Sequence, residues 1–260
     1  MRLALGLEYD GAAFCGWQTQ PGGGAVQDAL EQALAQLAGQ PIATVCAGRT
    51  DAGVHATAQV VHFDPTVERP MPAWVRGVNR YLPATAAVRW VRAVPADFHA
   101  RFSATGRGYD YWLLNDPVRS PLYEARVGWV FRPLDEAAMQ AAADLLVGTH
   151  DFSSFRAAEC QAASPVRALR ELTVTRHGRL IRVRAVANAF LHHMVRNLVG
   201  TLIYVGMGRQ PPAWAREVLE ARNRSAAAPT FAAAGLYLTR VDYDLMFALP
   251  SAEERIPFLP

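Results

Sequence analysis

Between Ala47 and Ala56 the sequence reads AGRTDAGVHA, which sets Arg49 and Asp51 two residues apart between Gly48 and Gly53. An aspartate in such a turn has two readings. It can bond backbone amides of its own loop, as Asp commonly does, or it can be a reagent, a nucleophile or a proton acceptor. An ordinary carboxylate, with a pKa of about 3.9, is ionised at pH 7, and burial raises that value by roughly 3 to 5 units unless a cation stands beside it. Arg49 is near enough in sequence to be that cation, and Arg196, on a helix expected after an Arg-rich strand, is a second candidate.

Other side chains suit RNA. In the strand Leu180 to Ala187, Arg182 and Arg184 alternate with Ile181, Val183 and Ala185, so one face is core and the other is either solvated or a platform for phosphates. FHARF, Phe98 to Phe102, offers His99 and Arg101 for RNA contact, with Phe98 and Phe102 expected to be buried. Tyr109 and Tyr111 share a strand face, either as a core ladder or as a stacking platform for bases. His192 and His193 are read as adjacent helical residues diverging by about 100°, which disfavours a shared metal ion.

Composition narrows the classes. The 260 residues are 51% hydrophobic and 19% charged, as expected of a globular protein rather than a disordered one. All 26 basic residues are arginine; without lysine there is no Schiff base and no P-loop, while guanidinium forks suit phosphates and planar bases. Charge is uneven: two arginines against Glu8, Asp10, Asp28 and Glu31 give −2 over 1–50, and eight against Glu159 and Glu171 give +6 over 156–196. Cys15, Cys46 and Cys160 show no zinc spacing and no disulfide framework. With neither a signal-peptide core nor an apolar run long enough to span a bilayer, a cytoplasmic protein is expected.

These groups need elements to hold them. Leu3 to Tyr9 alternates as a strand, Val26 to Leu37 has helical spacing, 42–46 and 54–63 read as strands around the opening motif, and a helix over 72–81 and a strand over 88–94 follow. The second half predicts strands over 109–113 and 127–131, a helix over 135–146 and a hairpin of 169–175 with 180–187. A helix from Phe190 capped by Asn188 and a last strand, 236–243, complete it. The fold expected is α+β: two tandem ferredoxin- or RRM-like β-α-β-β-α-β units with largely antiparallel sheets, one over 1–103 and one over 104–260.

The motifs YDGAAFCGWQ, GRTDAGVHA, FHARFSA, GYDYW, DFSSFR, ANAFLHHMVRN and GLYL run collinearly from Tyr9 to the strand at Gly235. Through them the chain resembles the bacterial tRNA pseudouridine synthase A family. The resemblance implies the pseudouridine synthase fold with an active-site cleft between the halves, and isomerisation of uridine to pseudouridine at positions 38, 39 and 40 of the tRNA anticodon stem-loop. It implies no cofactor or metal, and a homodimer. It makes Asp51 the nucleophile, Arg49 the residue that helps extrude the base, Tyr109 the contact to the flipped base and Arg196 the partner of the acid. It places tRNA contacts at Phe98 to Phe102 and at Glu159, Cys160 and Gln161. Two rivals remain at this stage: a non-catalytic tandem RRM-like RNA binder, and a metal-dependent hydrolase using Asp51 and His55.

Overall fold

The first strand, β1 (Arg2–Tyr9), is buried along nearly its whole length rather than on alternate residues. Leu3, Leu5 and Leu7 face one core, as their spacing predicts. The opposite face carries small residues because it too is covered: Ala4 packs with Val60, Val94 and Phe98, with Tyr243 and Phe247 against the same cluster, and a Cβ on Gly6 would collide with the Trp90 indole. That second layer comes from the far end of the chain, which local periodicity does not report.

The structure, a computed structural model, describes residues 1–251. The chain forms two units, Met1–Thr105 with the segment from Tyr237, and Gly106–Leu236. In the first, β1 is followed by α1 (Val26–Ala38), β2 (Val45–Cys46), β3 (His55–Phe63), α2 (Met71–Tyr81) and β4 (Ala86–Val94). β1 lies antiparallel between β3 and β4, and β2 pairs antiparallel with β3. α1 buries Val26, Leu30, Ala33 and Leu34, and α2 buries Trp74 and Val78. The expected order of elements is present, although the strand expected over 42–46 has only two paired residues.

The expected division at 103/104 differs from the observed units in one respect. The last strand, β10 (Leu236–Tyr243), pairs in parallel with β3 through Tyr237 and Leu238, opposite His55 and Ala56. Its residues from Tyr237 therefore belong with the first unit.

The second unit contains β5 (Ala104–Asn115), β6 (Gly128–Val130), α3 (Glu136–Asp144), β7 (Gly148–Asp151), β8 (Val166–His177), β9 (Leu180–Ala187), α4 (Met194–Gly206) and α5 (Trp214–Ala221). Its sheet is antiparallel in the order β5-β9-β8-β7, with β6 parallel to β5. β7 and α5 lack counterparts in the sequence-based expectation. α4 starts four residues later than expected, because Asn188 does not cap it: its Oδ1 accepts from the amides of Ala168 and Ala189 and ties β9 to β8. The residue before α4 is His193, at φ 61°. Among the described residues no helix is long and apolar enough to cross a membrane, and the three cysteines are free thiols.

Candidate active site

The loop between β2 and β3 presents Arg49 exposed and Asp51 half-buried. Gly53 turns the chain at φ 78°, a conformation L-residues with side chains avoid, and the Val54 amide donates to Asp51 O at 3.1 Å. From there β3 runs into the core. Cys46, at the other foot of the loop, is buried, which pushes its thiol up to about 12.

The interior side of the loop is polar. Gln59 of β3 is fully buried and donates from Nε2 to Gly48 O at 2.7 Å, while Gly48 N donates to its Oε1 at 3.4 Å. Tyr9 Oη lies 2.8 Å from Thr50 Oγ1 and 3.4 Å from Gln59 Nε2, and Trp17 N donates to Thr50 O at 2.9 Å. Sequence reasoning did not single out Thr50 or Gln59; the available signal was an amide followed by two valines in a core strand, where buried polar groups require partners.

His55 is a structural group. It is almost fully buried, stacks on Tyr237 with centroids 4.5 Å apart, and has Nδ1 3.1 Å from both the Gly11 amide and the Asp10 carboxylate. Its Nδ1 and its ring face are thus committed to packing β3 against the Asp10–Gly11 turn and Tyr237.

FHARF divides differently from its expectations. Phe98 is fully buried against Tyr243 and Phe247, so it is a core residue and cannot touch RNA. Phe102, expected inside, is 75% exposed. It packs on the His99 ring at 4.3 Å, with the Arg101 guanidinium 5.5 Å from its own ring. Three side chains pin the backbone beneath: Arg2 donates to Phe98 O at 2.8 Å, Tyr243 Oη to Ala100 O at 2.6 Å, and Ala100 N donates to His62 Nδ1 at 3.0 Å. The result is an exposed aromatic and cationic cluster on a held turn.

In the second unit Tyr109 is mostly buried, edge-on to Phe190 at 5.1 Å, and Tyr111 is wholly buried, donating to Ala232 O at 2.8 Å. Arg196, in the first turn of α4, donates from Nε to Phe231 O at 2.8 Å. Glu159 and Gln161 are exposed, with Cys160 half-buried between them. Arg156 donates to the carbonyls of Cys160 and Ala162 and so braces this loop. Burial raises the Cys160 thiol, but the amides of Ala162 and His192 and the charge of Arg156 outweigh it and lower its pKa.

The basic platform requires correction. Arg184 lies directly across from Asp110 and grips it through two hydrogen bonds, Nε to Oδ1 at 2.9 Å and Nη2 to Oδ2 at 3.2 Å, with Asp110 buried. Arg182 is half-buried, 5.9 Å from the Trp112 ring. Arg176 and Arg179 pair with Glu136 and Asp116. Three acids from outside the segment thus halve its local charge from +6 to +3, and Arg184 is a structural ion pair rather than a phosphate ligand. His192 and His193 also differ from expectation: they lie in the turn before α4, so their rings do not diverge but sit 3.9 Å apart.

A carboxylate and a guanidinium on a loop anchored from within, with Arg101 and Phe102 exposed around a half-buried His99, are the groups that this α+β protein sets in place in its first unit. The family profile described as tRNA pseudouridine synthase matches residues 7–103 and 142–244, and the chain belongs to that family. Within it, the chain is similar to tRNA pseudouridine synthase A of Thiobacillus denitrificans, 58% identical over 258 residues that cover 99% of each chain. The enzymes of the same name from Herminiimonas arsenicoxydans (58% identity, 97% of this chain and 93% of the relative) and Burkholderia multivorans (56%, 97% and 94%) are comparably similar.

Proposed function

We propose that the protein isomerises uridine to pseudouridine at positions 38, 39 and 40 of the tRNA anticodon stem-loop, with Asp51 as the nucleophile. The observation that carries this reading is the Asp51 loop itself, whose backbone is held from the core and which carries an exposed Arg49 and a half-buried Asp51, in a chain that matches its relatives over nearly its whole length.

The reaction conserves atoms and oxidation state. The N1–C1′ bond breaks, the uracil turns, C5 bonds to C1′, the C5 proton leaves and N1 regains a proton. A carboxylate serves by adding to C1′ or C6, or by taking the C2′ proton. No step calls for a redox cofactor. A paired base must first leave its stack, at a cost of a few kcal/mol. Arg49 fills the gap, Tyr109 holds the flipped base, and Arg196 supports the charge of the acid. The turn at His99, Arg101 and Phe102 and the loop at Glu159 to Gln161 hold the tRNA. Arg182 retains a weaker claim to RNA, and Phe98 and Arg184 have none.

The finer fold belongs to the same proposal: a pseudouridine synthase fold of two ferredoxin-like halves. It is supported by the β-α-β-β-α-β order of the first unit, with β1 between β3 and β4 and β2 on β3. A homodimer and a cytoplasmic location complete it; light scattering of the purified protein tests the dimer. The activity is tested by tritium release from tRNA labelled at uridine C5, with pseudouridine mapping of the product. Release with pseudouridine at 38, 39 and 40 is expected, and intact label with unmodified tRNA would refute the reading.

A further inference from the structure

We infer that Gln59, Tyr9 and Thr50 form the positioning device of the Asp51 loop; this rests on the reading of Asp51 as the nucleophile. Gln59 is fully buried in β3 beside Val60 and Val61, where a hydrocarbon would pack as well. Its amide instead recognises a peptide group. Oε1 and Nε2 pair with the N–H and C=O of Gly48, and the second Nε2 proton faces Tyr9 Oη. The phenol oxygen accepts from Gln59 and shares a hydrogen bond with Thr50 Oγ1, 2.8 Å away, in which either hydroxyl can be the donor. Tyr9 is set by the rings of Phe14 and Trp17, whose centroids lie 6.4 and 6.1 Å away.

The anchors fall on alternate residues of the loop. Gly48 and Thr50 are held from inside, and the residues that follow each of them are Arg49, exposed, and Asp51, half-buried. The network therefore ends on the backbone and side chain immediately preceding each of the two groups assigned to the chemistry. A nucleophile displaced by about 1 Å loses on the order of 100-fold in rate, so loosening these anchors affects the chemical step before it affects capture of tRNA. The three residues act through Asp51 and are positioning residues.

Two variants remove single hydroxyls with little change of shape: Tyr9→Phe, and Thr50→Val. Tritium release at saturating tRNA, KM for tRNA and the thermal midpoint are measured on each. The expected result is a fall in kcat of about tenfold or more with KM changed less than about twofold. Thr50→Ser, which keeps the hydroxyl, restores most of the rate, and the Tyr9→Phe, Thr50→Val double variant is no slower than the worse single one, since the Tyr9–Thr50 bond is already lost in each. A kcat within about twofold of wild type in both single variants, or a loss fully explained by the unfolded fraction, would overturn the inference. Failure of the functional reading is distinguishable, because the unmodified protein would then release no tritium.

Discussion

Acid should destabilise the protein through one imidazole. His62 of β3 accepts the Ala100 amide at Nδ1, 3.0 Å away, and its ring lies 6.1 Å from Phe98 and 4.9 Å from His99. Burial, then the charges of Arg2 and His99, push its pKa from 6.5 down to about 4, against the opposing pull of Asp64. The unfolded chain therefore takes up a proton at about 6.5 that the folded chain refuses until about 4. The stability contributed is complete above the unfolded value and is lost as pH falls from there toward the folded one. At about 1.4 kcal/mol per unit, the loss is about 2 kcal/mol at pH 5 and about 3 kcal/mol at pH 4. His62→Gln supplies an oxygen that accepts the same amide and does not titrate. Urea denaturation from pH 7.5 to 4 should show wild type losing stability faster than the variant by these amounts. Parallel curves would refute the assignment of the acid sensitivity to His62.

Asp110→Ala removes the buried carboxylate that Arg184 grips and should cost about 2 to 4 kcal/mol in chemical denaturation; adding Arg184→Met should recover part of that loss. Phe98→Ala should cost about 3 to 5 kcal/mol of stability. Phe102→Ala should leave the melting curve unchanged and weaken tRNA binding by about 1 to 3 kcal/mol in a filter assay. Arg101→Ala should reduce the salt slope of tRNA binding by about 1.

The elements that local pattern specifies were legible in the sequence. α1 and α2 follow the spacing of Val26, Leu30 and Leu34 and of Trp74 and Val78, and the last strand, 236–243, has the expected bounds. What could not be read depends on distant partners. β1 is buried on both faces because Tyr243 and Phe247 return to cover Ala4, and the Asn188 amide that resembles a helix cap is used instead to join two strands. Charge counting along 156–196 overstates the local charge for the same reason, since Asp110, Asp116 and Glu136 lie outside that window. At the site, Arg49 and Asp51 stood out because glycines bracket them. Their anchors did not, because Gln59 reaches Gly48 across eleven residues and Tyr9 reaches Thr50 across forty-one. Phe98 and Phe102 are alike in sequence; the sharp turn at 99–103, closed by Ser103 N donating to His99 O, sends one inward and the other out.

The most direct test of Asp51 as the reagent is tritium release by Asp51→Asn, whose amide preserves shape and removes the nucleophile. Release from C5-labelled tRNA should be abolished while tRNA still binds with an affinity near that of wild type. Turnover at the wild-type rate would contradict the account.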